Sequence, residues 1–323
     1  MGGRGPDHRD AAQRGPLGAS RRSGLRDKHH PRLVEAALKR TSNGKNSHDL
    51  KHDLLLVSVC GLQGGSGGIG TTLNRLYEQV NRPEFIYPDP LAAVLRYSDP
   101  ADQEVVGLIA AALAFGNVKT ILRSVGAVLT RLPRPAAQLP AAESQELLRL
   151  FGSFRHRYVR GRELADLLSG IGRVLRAHGS LGACFQACAR PQETDYRLAL
   201  TRFVCELRKG ARLENNYLLP DPRRGSACKR LWLYLRWMVR QDAVDPGAWP
   251  GLDPARLIVP LDTHMHRICR KLGFTERKPA DLRTAVEVTE AFRRICPEDP
   301  VRYDFALTRL GILRIEADFP TAT

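Results

Sequence analysis

Residues 222–240, PRRGSACKRLWLYLRWMVR, and 259–274, VPLDTHMHRICRKLGF, decide how this chain reads. The first opens on a glycine turn, Gly225-Ser226-Ala227-Cys228, and runs into a basic segment with Lys229 in its first turn. Leu231, Leu235 and Met238 recur at i, i+4 and i+7, the spacing of one helix face, and leave Arg230, Arg236 and Arg240 to point to water. The second passes Pro260 and sets Asp262 ahead of a helix with Met265, Ile268 and Leu272 inward and Gly273 as its stop. Asp262 reads as an N-cap, a role worth about 1 kcal/mol, and a carboxylate held by helix N–H groups is also fixed in place. An amine and a carboxylate at the starts of two helices can meet across a cleft, so Lys229 and Asp262 are the candidate catalytic pair. A tight turn feeding a helix exposes N–H groups that hold phosphate without reading base sequence. Arg223, Arg224, Gly225, Ser226, Ala227 and Arg230, with His264 and Arg267 of the second segment, are therefore candidate nucleic-acid contacts. His264 and His266 are spaced i, i+2, which sends them to different helix faces, so no metal is expected.

Outward from this pair the pattern is helical. Asp99-Pro100 supplies a cap and a first-position proline ahead of Val105, Leu108, Ile109, Ala112 and Leu113. Val118, Ile121, Leu122, Val125, Leu129 and Leu132 form another stripe, stopped by the 133–140 loop. Leu164, Leu168, Ile171 and Leu175, then Tyr196, Leu200, Phe203 and Leu207, continue it. Val288, Phe292 and Ile295 stop at Pro297, and Asp299-Pro300 is expected to cap a last helix bearing Tyr303, Ala306 and Leu310. No sustained period-2 alternation follows residue 72, and the fold class is all-α.

The 323 residues carry a formal charge of +16, of which +10 falls in 73–323, so phosphate-rich partners lead the candidates. Within 202–240 ten basic residues stand against three acidic, interleaved with Tyr217, Trp232, Tyr234 and Trp237. Trp232, Tyr234 and Trp237 are candidates for base stacking, but aromatics at this spacing are more often core. Seven cysteines without a CxxC argue for reduced thiols in a cytoplasmic protein. The apolar runs Leu54–Leu62 and Val105–Phe115 are too short to span a bilayer, and no membrane partner is expected. Residues 1–72, rich in Arg, Gly, Ser and His over 1–53, read as a disordered extension. Gly65-x-Gly67-x-x-Gly70 has the spacing of a dinucleotide fingerprint, but no second strand follows at βαβ spacing, and so no acidic residue ends one near position 90. A flexible linker is the better reading, and a nucleotide-dependent enzyme built on that loop ranks last.

GSACKR followed by VPLDTHMHRICRKLGF resembles the signature of the helix-hairpin-helix-GPD superfamily of DNA glycosylases, the endonuclease III and oxoguanine-glycosylase class. That family's hairpin reads Gly-x-Gly-x-Lys and its catalytic segment Val-Asp-Thr-His. Gly225 matches the first glycine, Lys229 the Schiff-base lysine and Asp262 the aspartate. GLIAAALAFGNVKTILRSVGAVL (107–129) is similar to the family's early helix pair, with Asn117 near the base-probing position. Residues 73–317 as a whole also resemble a bacterial family known only as a domain of unknown function, through the YPDPL, GSACKRL, RWMVR and PLDTH blocks. The chain departs from the glycosylase pattern at Ala227, where a second glycine is usual, in the longer Lys-to-Asp gap containing QDAVDPGAWPGLDPARL, and in lacking the four-cysteine iron–sulfur pattern.

The resemblance implies a helical domain over 73–318 with two lobes, one of about 100–240 and one of 73–99 plus 255–318, and a cleft between them for an extruded nucleotide. It implies base excision from damaged duplex DNA by a monomeric, nucleoid-associated enzyme without cofactor or iron–sulfur cluster, in which Lys229 attacks the sugar and Asp262 stabilises its developing positive charge. Asn117 and Trp232 are the base-pocket candidates. The alternative is a non-catalytic nucleic-acid-binding protein on the same scaffold.

Overall fold

The computed structural model describes residues 68–313. The expected disordered extension lies almost wholly outside the described residues, as do Gly65, Gly67 and the end of the second lobe beyond 313. Thirteen helices and one minimal hairpin make up the described part, so the fold is mostly helical. Helix α1 (Ile69–Val80) begins before residue 73 and buries Leu73, Leu76 and Val80. The short α2 (Leu91–Val94) is capped by Asp89, whose carboxylate accepts from the Leu91 N–H at 2.9 Å.

Helix α3 (Pro100–Ala112) is the centre of the larger group. Asp99 caps it as the sequence suggests, accepting from the Ala101 N–H, and everything from Glu104 to Ala112 is buried. It packs on α2, α4 (Val118–Arg131), α5 (Pro135–Gln138) and α10 (Lys229–Val239). Gly107 permits the close approach of α10, since a Cβ there would lie 2.9 Å from Met238 Cε and 3.2 Å from Tyr234 Cε2. Buried Glu104 accepts from the Leu181 N–H, the Gly182 N–H and Trp249 Nε1, each at 2.8 Å. It thereby pins the start of α8 (Leu181–Cys188) and the long 241–257 connection to α3. Helices α6 (Ser144–Phe151), α8 and α9 (Arg197–Arg208) pack around α7 (Gly161–His178). Strands β1 (Arg155–His156) and β2 (Val159–Arg160) pair antiparallel between α6 and α7.

In the second group α1 and α11 (Thr263–Lys271) pack on α13 (Asp304–Leu313), and α12 (Leu282–Arg293) joins through the Thr289 hydroxyl, which accepts from the Val259 N–H at 3.0 Å. Among the described residues no helix is long and apolar enough to cross a membrane.

Three local expectations are corrected. Arg236 and Arg240 do not face water: each is 3% exposed. The 241–246 loop and the 299–304 turn supply carboxylates that draw both side chains inward. Arg236 pairs with Asp245 at 2.8 Å and with Asp304, and Arg240 pairs with Asp242 at 2.9 Å, with Asp299 at 2.8 Å and with Asp245. Asp299 consequently caps nothing, and the last helix starts at Asp304 instead of Pro300. Trp232 is not available to a base pocket: with Tyr234 and Trp237 it is sealed in the core, as aromatics at this spacing more often are, because α10 is buried on every side from Leu231 to Val239.

Replacing Arg240 by Met removes the cation shared by three carboxylates, one of them the wholly buried Asp245. Breaking a buried ion pair from one side costs about 3–5 kcal/mol, so urea denaturation of Arg240→Met is expected to show a loss of that size. A loss below about 1 kcal/mol, the scale of an exposed pair, would contradict the network's role.

Candidate active site

The connection into α10 is a sequence of local turns. Asp221 accepts from the Arg223 N–H at 3.0 Å and opens a single 3-10 turn, Pro222–Arg224. Gly225 follows at φ 76°, in the left-handed region, and Cys228 takes φ 46° as the residue before α10. Ala227 has no positive φ, so glycine's freedom is needed at 225 but not at 227. Ser226 Oγ accepts from the Cys228 N–H at 3.3 Å, and the Gly225 carbonyl accepts from the Leu282 N–H at 3.1 Å, which ties the turn to the start of α12. Lys229 is thus the first residue of a helix whose entry is held from both sides.

Asp262 is the N-cap of α11. Its Oδ1 accepts from the His264 and Met265 N–H groups, both at 2.9 Å, and its Oδ2 lies 3.8 Å from Lys229 Nζ. About a quarter of each side chain remains open to solvent. The buried extended segment Leu257–Leu261 delivers Asp262 to this place. The two groups therefore meet, and they meet on the wall of a cleft of about 1520 Å³. Asn117, Arg224, Ser226, Ala227, Arg230, His264 and Arg267 line the same cleft. Arg223, Gly225 and Trp232 do not: Arg223 is turned onto the Asp221 carboxylate at 2.7 Å and Trp232 is core. Asn117 caps α4, accepting from the Lys119 N–H at 2.9 Å. Arg230 donates to the Ala112 and Tyr217 carbonyls and lies 5.0 Å from the Phe115 ring centre and 4.4 Å from that of Tyr217. Burial pushes its guanidinium below the usual arginine value. It is a fixed brace of the cleft mouth, not a mobile phosphate hook.

Two features of this cleft were not foreseen. The first is an aromatic rim. Phe115 and Tyr217 line the cleft, and Tyr158 lies beside them: Phe115 stacks on Tyr158 at 5.6 Å, Tyr217 meets both rings edge-on, and Tyr158 and Tyr217 are about half exposed. Buried His156 sets this rim by bonding Ser124 Oγ at 2.9 Å and the Phe115 carbonyl at 3.1 Å, while Arg157 turns the hairpin at φ 53°. Burial holds the His156 imidazole below its ordinary pKa, which suits a neutral ring bonded on both nitrogens. The second feature is the floor, where Asp304, Phe305 and Arg309 of α13 face the cleft and Arg309 pairs with Asp89. His264 faces the cleft, whereas His266 Nε2 is bonded to the Arg277 carbonyl at 2.9 Å. Among the described residues no group of three or more His, Cys, Asp or Glu could hold a metal ion.

Residues 89–313 match the family model described as Protein of unknown function (DUF2400). The chain belongs to this family. Neither the curated proteins nor the solved structures gave a match. The matched DUF2400 region runs from the Asp89 cap of α2 to the end of α13, and so contains every residue placed on the cleft wall here.

Capping and charge at Asp262 separate by substitution. Asp262→Ala is expected to lose about 1 kcal/mol of stability in urea denaturation, the usual worth of a cap. Asp262→Asn keeps an accepting oxygen and is expected to stay near wild type while removing the charge that faces Lys229. Equal losses for the two would show that the charge, not the cap, carries the stability.

Proposed function

We propose that this protein is a DNA glycosylase with abasic-site lyase chemistry, of the helix-hairpin-helix kind, with Lys229 as nucleophile and Asp262 as its electrostatic partner. The observation that carries the reading is the 3.8 Å approach of Lys229 Nζ to Asp262 Oδ2 within an open cleft. The cleft is somewhat larger than the roughly 300–1,000 Å³ of a typical small-ligand site, and room for a nucleoside with part of its backbone is what base extrusion demands. Support also comes from the glycine-led turn ahead of Lys229, from Arg224 and Arg267 beside it, and from the net positive charge of the chain. The corresponding fold would have the hairpin at 222–229, with α3–α10 (about 100–240) as one lobe and α1 and α2 with α11–α13 (73–99 plus 255–318) as the other.

In this mechanism the Lys229 amine attacks the anomeric carbon of the extruded nucleotide while the Asp262 carboxylate stabilises the positive charge developing on the sugar. The base departs with the electron pair of its glycosidic bond. The resulting imine allows strand scission by β-elimination. Backbone contacts would come from the Arg224–Ser226 turn and from His264 and Arg267 at the head of α11, which position the strand without reading its sequence.

The test is borohydride trapping across a panel of damaged and abasic duplexes. Wild type is expected to give a covalent adduct on at least one of them, Lys229→Ala none, and Asp262→Asn a base-release rate lower by two to four decades, about the range expected of an electrostatic or acid–base group. Salt-sensitive DNA binding without any adduct or base release would falsify the catalytic claim. That outcome belongs to the second reading, a non-catalytic nucleic-acid-binding protein, which the half-exposed Tyr158 and Tyr217 of the rim favour. On either reading Tyr158→Ala is expected to weaken binding of an abasic-analogue duplex in a fluorescence anisotropy titration by about 1–3 kcal/mol, the worth of one stacked base. Unchanged affinity would remove the rim from the interface.

A further inference from the structure

Asp262 cannot serve two needs at once. To stabilise positive charge on the sugar it has to stay anionic, yet Lys229 has to lose a proton before it can attack. A carboxylate that took that proton would be neutral when the charge develops. Where two carboxyl groups share a site, different surroundings commonly give them different tasks.

The cleft holds a second carboxyl. Asp304, the first residue of α13, lines it with a side chain only 4% exposed. Its Oδ2 is taken by Arg236 Nη1, and Arg236 is itself locked onto Asp245. Its Oδ1 is buried with no hydrogen-bond partner. An unsatisfied buried acceptor is uncommon in a folded protein and calls for a reason. Asp304 lies within electrostatic reach of Lys229 and Arg236 from α10, of Asp262 and Cys269 from α11, and of Arg309 from its own helix, and of these Arg236 is paired with it directly. Burial raises its carboxyl above the ordinary aspartate value despite Arg236, the Asp262 charge adds to the rise, and Lys229 opposes it. Asp262, partly open to solvent and held by two amides, has different surroundings.

We propose that Asp304 accepts, through one intervening water, the proton that Lys229 releases on becoming a nucleophile, an inference that rests on the glycosylase reading above. An N–H bond of the ammonium breaks and its electron pair stays on Nζ as the lone pair, while an O–H bond forms at Asp304 Oδ1. The lone pair then bonds to the anomeric carbon as the glycosidic bond breaks. The base leaves with that bond's electrons and takes the proton back from Asp304 through the same water. Asp262 remains anionic throughout.

Trapping on a preformed abasic duplex tests this without knowledge of the excised base. Trapping rates are read against pH for wild type, Asp304→Asn and Asp304→Glu, with duplex affinity and circular dichroism measured beside them. Asp304→Asn is expected to fall about 100-fold near neutral pH, within the range general-base catalysis supplies, and to bind the duplex as wild type does. The deficit is expected to shrink as pH rises, because solvent base then takes over the proton, and Asp304→Glu is expected to recover part of the rate. Equal rates for Asn and wild type at every pH, or a deficit that stays constant with pH, would overturn the assignment and leave Lys229 and Asp262 untouched. If Asp304→Asn does not fold, Asp304→Glu decides: a displaced pH profile supports the assignment and a superimposable one overturns it. A wild type that forms no adduct withdraws the glycosylase reading and this proposal together.

Discussion

Asp245 is wholly buried and holds two arginines four residues apart, Arg236 in α10 and Arg240 as the residue that ends it. A carboxylate in such a place is tolerable only when paired, and so are the two cations around it. The requirement fixes α10 in rotation and in register, because Arg236 has also to reach Asp304 and Arg240 has to reach Asp242 and Asp299. Tyr77 completes the arrangement by donating to Asp242 at 3.0 Å, which draws α1 onto the same cluster. Sliding α10 by one residue would unpair several buried charges at once. What this cluster protects is the direction in which the first residue of that helix, Lys229, is aimed.

The cleft is built from helix beginnings. Lys229 starts α10, Asp262 caps α11 and Asp304 starts α13, and each comes from a separate stretch of chain. Helix starts leave backbone N–H groups without intrahelical partners, so they hold a capping carboxylate firmly and offer a place for anionic ligand groups. Asp262 uses one oxygen for the cap and keeps the other for Lys229. Arg230 meanwhile braces the aromatic rim against the Ala112 carbonyl and keeps the mouth of the cleft in shape.

Much of the helical framework could be read from periodicity. The stripes ending at Leu113 and at Leu175 are buried where their spacing put them, and Asp99 and Asp262 cap the helices that follow them. The pairing of Lys229 with Asp262 was expected from two polar residues at helix starts and made specific by motif resemblance, since nothing local to either residue says that helices 33 residues apart in sequence share a cleft. The fates of Arg236 and Arg240 were hidden for a similar reason. Both sit where a helix facing water would carry cations, and only the carboxylates of residues 242–245 and 299–304 make that face interior. Trp232 belonged to a helix buried all round, which a single apolar stripe understates. The aromatic rim draws on 115, 158 and 217, from three separate connections, and no one-dimensional pattern joins them. Asp304 went unseen because Asp299-Pro300 offered a stronger capping signal a few residues earlier.

The most direct measurement is peptide mapping by mass spectrometry of the product formed when wild type is incubated with an abasic duplex, reduced and digested. The account predicts one modified peptide, with the reduced sugar on the side-chain nitrogen of Lys229. A modification on another lysine or on the chain's terminal amine, with Lys229 recovered unmodified, would contradict it.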